Sequence, residues 1–134
     1  MPARVILLVE DSAADAYLIE RAAEECGRKV ELWTLPDGPE ALAFLRKDRS
    51  LAQVPTPALI LLDLRLPTKS GTEILSEIRQ LPAYHATPIV ILSRLDKEGI
   101  EAACLRLGAS EYVQKSSNFH VFFNSIKALL AHWP

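Results

Sequence analysis

Glu10, Asp11 and Asp63 each stand at or just past the C-terminal end of a short apolar run. Val5-Ile6-Leu7-Leu8-Val9 leads into Glu10-Asp11, and Ala58-Leu59-Ile60-Leu61-Leu62 leads into Asp63. Carboxylates gathered in one place repel one another unless a hard divalent cation lies between them. The chemistry this pattern suits is Mg²⁺ held beside a reactive aspartate. Two more polar residues obey the same placement. Ser93 closes the run Ile89-Val90-Ile91-Leu92, and Lys115 ends a fifth short strand.

The elements that must position these residues follow from the hydrophobic pattern. Runs continuous in Val, Ile and Leu, rather than alternating, read as strands buried on both faces of a parallel sheet. A strand-then-helix rhythm recurs five times. Strands are expected at about Arg4–Val9, Val30–Leu35, Ala58–Leu62, Pro88–Leu92 and Glu111–Gln114. The first helix starts at Ser12, with Asp15 three residues on as a capping-box-like partner, and stops at Gly27. Its inward stripe is Leu18, Ile19, Ala22, Ala23 and Cys26. Pro39 suits the first turn of the second helix, with Ala41, Leu42 and Leu45 inward.

Ser50–Pro57 reads as a loop, and helices follow at about Thr72–Leu81, Asp96–Leu107 and Asn118–Ala131. The fourth helix would bury Ile100, Ala103, Cys104 and Leu107 and leave Leu105 outside. The last would bury Phe119, Phe122, Phe123, Ile126, Leu129, Leu130 and Trp133. Five such units force parallel pairing with helices on both faces. Ligands of an open parallel sheet bind outside the carboxyl ends of its strands, where the order reverses. A reversal between strands one and three would gather Glu10, Asp11, Asp63, Ser93 and Lys115 there.

Composition narrows the classes. At 134 residues, 49% apolar and 24% charged, the chain suits one globular domain over residues 1–134. A formal charge of -2 without a dense basic run argues against nucleic acid as a partner. The apolar run after Arg4 is too short for a signal-peptide core or a membrane span, so a soluble cytoplasmic protein is expected. Cys26 and Cys104 read as small buried apolar residues.

The ordered set of motifs resembles the receiver domain of two-component response regulators. It comprises Glu10-Asp11, then Asp63-Leu64-Arg65-Leu66-Pro67 through Gly71, then Ser93, then Tyr112 with Lys115. The resemblance covers essentially the whole chain. Residues 8–15, Leu-Val-Glu-Asp-Ser-Ala-Ala-Asp, and 37–45, Asp-Gly-Pro-Glu-Ala-Leu-Ala-Phe-Leu, are similar to the stand-alone branch that includes partners of bacterial phytochromes.

The resemblance implies a flavodoxin-like, doubly wound (βα)5 α/β sandwich with strand order 2-1-3-4-5. It implies Asp63 as the acceptor of a phosphoryl group from a phosphohistidine on a sensor histidine kinase, a bacterial phytochrome being one candidate. Mg²⁺ would be held by Asp11, Asp63 and the Arg65 carbonyl, with Glu10 acting through a metal-bound water. Lys115 would give the phosphoryl oxygens a point charge and Ser93 a hydrogen bond. Tyr112 would swing inward as the Ser93 hydroxyl moves. Such a protein is not an enzyme in the ordinary sense, but assists its own phosphorylation and dephosphorylation.

A single domain without an output domain is expected, and with it output through protein contacts. Leu105, Tyr112 and the aromatic last helix suggest a homodimer through the side formed by helix four, strand five and helix five.

Each residue alone has a plainer role: an acid after a strand is usually a helix cap, and a lone Lys is usually solvated. The rival for the whole is a receiver-shaped scaffold that binds partners without being phosphorylated. Other classes fit poorly. A haloacid-dehalogenase-type phosphatase needs an acid where Arg65 stands, a flavodoxin loop would not carry Glu10-Asp11, and no P-loop signature is present.

Two departures from the family pattern stand out. Ser116 follows Lys115 where a proline joined by a cis bond is usual. A cis bond to a non-proline costs about 2.5–4 kcal/mol. The bond is therefore either trans with an altered loop, which would put the reach of Lys115 in question, or cis under strain. Arg65 and Arg94 are unusually large and cationic, and the expectation favours both pointing into solvent over either leaning across the acids. As an alternative, Arg94 would slow access of phosphodonor or attacking water.

Overall fold

The computed structural model describes residues 3–46 and 56–133; most of the expected loop Ser50–Pro57 lies outside them. In order, the elements are β1 (Arg4–Val9), α1 (Ala13–Glu25), β2 (Val30–Leu35), α2 (Gly38–Arg46), β3 (Leu59–Asp63) and α3 (Gly71–Arg79). A 3-10 turn (Pro82–Tyr84) precedes β4 (Ile89–Ser93), α4 (Lys97–Arg106), β5 (Glu111–Gln114) and α5 (Phe119–His132). The five strands form one parallel sheet in the order β2-β1-β3-β4-β5. This is the doubly wound, flavodoxin-like arrangement that the strand–helix rhythm and family motifs imply.

Because successive strand side chains point to opposite faces, each apolar strand feeds two cores. Leu7, Ile60, Leu62, Ile89 and Ile91 pack under α2, α3 and α4. Ile6, Leu8, Leu61, Val90 and Leu92 pack under α1 and α5. All five residues of β3 and of β4 are buried, which explains why these runs show no alternation. The sheet reverses at β1, which lies between β2 and β3, and opens the crevice beside Glu10 and Asp63.

Two helix expectations need correction. Phe119 is 69% exposed and stands outside the α5 stripe, because it is the first residue of the helix. Leu107 is also exposed, and Cys104 is the one fully buried residue of α4. The cause lies at the start of α4: Glu98 is extended and Gly99 has φ +89°, so the regular helix begins only after them.

Candidate functional site

The ends of β1 and β3 bring the acids together. The Glu10 amide donates to the Leu35 carbonyl at 3.0 Å, which pins the acid's backbone to β2. Carboxylate oxygens of Glu10, Asp11 and Asp63 all lie within 4.8 Å of one another. Glu10 is only 2% exposed and Asp63 is buried, while Asp11 faces solvent. Burial is the largest force raising the Glu10 pKa to about 7, followed by a hydrogen bond shared with Asp63, with Lys115 acting in the opposite sense. An all-oxygen donor set whose members resist ionising together fits a hard divalent cation such as Mg²⁺.

Asp63 ends β3, and the chain beyond it is tightly folded. The Arg65 amide donates to Asp63 Oδ1 at 3.2 Å. The Lys69 amide donates to the Pro67 carbonyl at 2.8 Å across Thr68, whose φ of 71° is left-handed. Such a conformation in a non-glycine residue costs about 1–3 kcal/mol and marks a constrained segment. The Gly71 amide then donates to the Leu64 carbonyl at 2.9 Å, setting the start of α3 against the end of β3.

Lys115 reaches the acids although Ser116 follows it. The Lys115–Ser116 bond is trans. The altered loop is stabilised locally: the Asn118 amide donates to Ser116 Oγ at 3.0 Å, a hydroxyl-closed turn before α5. The Lys115 amide donates to the Ser93 carbonyl at 2.6 Å. Its buried Nζ donates to Glu10 Oε1 at 2.7 Å and to Asp15 Oδ2 at 2.9 Å, and lies 3.4 Å from Asp63 Oδ2. Burial alone would lower the Lys115 pKa; the hydrogen bonds it donates to Glu10 and Asp15 and the Asp63 charge outweigh it, so the pKa rises.

Asp15 is the residue the sequence reading misplaced. Its amide does donate to Ser12 Oγ at 3.2 Å, but its carboxylate does not close a capping box. The Ser12 amide is instead taken by Glu10 Oε2 at 3.2 Å, and the Asp15 side chain turns inward to Lys115. The signal was available in the spacing, since position 15 shares the inward stripe with Ile19 and Ala22. Arg94 also departs from the expected solvent orientation: its Nη2 spans both Asp15 oxygens at 2.9 Å. Arg65 is exposed and, with Arg94, borders the cavity of about 260 Å³ above the acids.

Ser93 and Tyr112 sit behind this cavity rather than on its wall. The Ser93 hydroxyl accepts from the Leu95 amide at 3.1 Å. Tyr112 is 1% exposed, not the half-exposed edge residue its strand position would allow, and its hydroxyl donates to the Leu95 carbonyl at 2.7 Å. Burial is the main cause of its raised pKa.

The description "response regulator receiver domain" matches residues 6–127. The chain belongs to the response regulator receiver family. This receiver is 39% identical over 132 residues to the response regulator Rcp1 of Synechocystis, an alignment covering 98% of this chain and 90% of Rcp1. Its fold matches the phosphorylated cyanobacterial phytochrome response regulator RcpA with a TM-score of 0.93 at 37% identity, over 98% and 94% of the two chains. It matches the Mn²⁺-bound form of Rcp1 with a TM-score of 0.91 at 38% identity, over 97% and 94%. A relative with a divalent metal bound agrees with the metal-compatible acids found here. No helix among the described residues is long and apolar enough to cross a membrane.

Proposed function

We propose that this receiver accepts a phosphoryl group on Asp63 from a sensor histidine kinase in a Mg²⁺-dependent relay. The observation that carries this reading is the Lys115 ammonium 3.4 Å from an Asp63 carboxylate that shares an ion-sized space with Glu10 and Asp11. In the transfer, the P–N bond to the kinase imidazole breaks and a P–O bond to an Asp63 oxygen forms. Phosphoryl transfer needs positioning and charge neutralisation more than covalent help. Asp11, Asp63 and the Arg65 carbonyl would hold Mg²⁺, with Glu10 acting through water. The bound ion would neutralise charge developing on the transferred oxygens.

Lys115 supplies a second positive charge, and Ser93 supplies a hydroxyl once it leaves the Leu95 amide. Tyr112 ties that loop to β5 through the Leu95 carbonyl. The domain then works as a self-assisted phosphoacceptor, not as an enzyme on a separate substrate. Similarity to phytochrome response regulators supports a bacterial phytochrome as the kinase, and hence a cytoplasmic site of action. Output would pass through protein contacts, with no nucleic acid or membrane engaged.

A homodimer through the α4–β5–α5 side belongs to the same reading. Tyr112 is buried and adds nothing to that surface. Exposed Leu105 and the groove between β5 and α5, bordered by Val113, Leu129 and Trp133, supply its apolar area. Light scattering at micromolar concentration should give a dimer mass; a strictly monomeric mass would count against it.

Acetyl phosphate with Mg²⁺, followed by intact-protein mass measurement, tests the central claim. The wild type should gain one phosphoryl group and Asp63→Asn none. No Asp63-dependent gain, together with no response to a cognate kinase, would leave a phosphorylation-independent scaffold. The reach of Lys115 into the acids removes the main sequence argument for that rival.

A further inference from the structure

Asp15 is nearly enclosed, yet it holds two cations. Lys115 Nζ donates to its Oδ2 at 2.9 Å, and half-exposed Arg94 bridges both oxygens at 2.9 Å. The same Lys115 ammonium is shared with Glu10 at 2.7 Å and stands farther, at 3.4 Å, from Asp63. At rest the ammonium therefore belongs to Glu10 and Asp15. Neutralising a phosphoryl group on Asp63 requires it to turn away from Asp15. A buried carboxylate stripped of its sole cation is strongly unfavourable. If Lys115 were the only partner of Asp15, that penalty would hold it in place.

Arg94 changes this balance. It approaches from the loop after β4, and its Nη2 stands 2.9 Å from both Asp15 oxygens at once, one charge-assisted donor shared between them. We infer that Asp15 and Arg94 form a counter-ion exchange device: Arg94 keeps Asp15 neutralised, so that Lys115 is free to move to the phosphoryl group. Both are positioning residues acting through Lys115, and neither touches the reacting atoms. The inference rests on the phosphoacceptor reading of Asp63.

A purely structural clamp between α1 and the β4–α4 loop would make the same bond, but the two roles differ under double substitution. Initial rates of Asp63 labelling by acetyl phosphate and Mg²⁺ are to be compared for wild type, Arg94→Ala, Asp15→Asn and the double variant. Thermal unfolding is recorded for each. Arg94→Ala should slow labelling roughly five- to tenfold, the scale of one partly exposed charge-assisted pair. Asp15→Asn should label at least as fast as wild type, and the double variant should recover to the Asp15→Asn rate.

A wild-type rate in Arg94→Ala would overturn the exchange. So would a loss that persists in the Asp15→Asn background, which would make Arg94 a guard of donor access or a clamp. A wild type with no Asp63-dependent label would defeat the phosphoacceptor reading itself, and the exchange with it.

Discussion

Gly71 lies so close to Asp63 that a Cβ built on it would stand 2.4 Å from the Asp63 carbonyl oxygen. The same atom would lie 2.6 Å from the Leu64 Cα. Both neighbours are backbone, so no side chain can turn aside to make room. Gly71→Ala should therefore push the start of α3 away from the end of β3, at a cost of about 1–3 kcal/mol. Urea denaturation would read the loss, and labelling of Asp63 should slow with it. A variant of unchanged stability would show that this junction yields more easily than its geometry implies.

Tyr112 and the Leu95 carbonyl make a second testable junction. Tyr112→Phe keeps the ring in its core site but leaves a carbonyl without its 2.7 Å donor. The expected loss is about 1 kcal/mol. Tyr112→Ala also empties a fully buried site beneath α4 and should cost about 3–5 kcal/mol. Chemical denaturation of the two variants separates the hydroxyl from the ring; equal losses would mean that the hydroxyl carries the whole effect.

The strands and the three acids were legible because they rest on short-range pattern, apolar runs with acids at their ends, whereas the strand order followed from the family resemblance. Asp15 was missed although its spacing put it on the inward stripe of α1, because Ser12 three residues earlier offers a cap, and the competing demand of Lys115 comes from 100 residues away. Arg94 escaped for the same reason, as its partner lies 79 residues back. Phe119 and Leu107 were misplaced because helical periodicity does not show where a helix starts and stops: Phe119 is the first residue of α5 and Leu107 lies just past the end of α4. The reach of Lys115 past Ser116 depended on a hydroxyl-closed turn, which Ser116 and Asn118 encode only in three dimensions.

Glu10 gives the metal-free protein a pH dependence. Its pKa is about 7 in the fold against an ordinary 4.5, with burial the first cause. A group raised in this way contributes stability fully below its unfolded pKa and loses it as the pH climbs through its folded one. Stability in chelator should thus fall between about pH 4.5 and 7, and Glu10→Gln should flatten that fall. Lys115, with its pKa raised, stays charged throughout this interval. Mg²⁺ requires the ionised acids, so its affinity should rise over the same range and its binding should release a proton near about pH 6. Calorimetry in buffers of different ionisation heat counts that proton, and a count of zero would contradict the coupling.

Asp63 itself should be a liability until metal arrives. Its carboxylate adds negative charge to a site that already holds Glu10, Asp11 and Asp15, with buried Lys115, half-exposed Arg94 and exposed Arg65 the cations that border the cavity. Asp63→Asn removes one repelling charge while keeping shape, so in chelator its melting temperature should exceed that of the wild type. A gain of about 1 kcal/mol would correspond to roughly 3–5 °C for a domain of this size. Mg²⁺ should reverse the order. At a hundredfold excess over Kd, mass action stabilises the wild type by about 2.7 kcal/mol, whereas the variant has lost a ligand and should respond weakly. Thermal scans with and without Mg²⁺ supply all four values. A variant that melts below the wild type in chelator would mean that the bond from the Arg65 amide to Asp63 outweighs the repulsion among the acids.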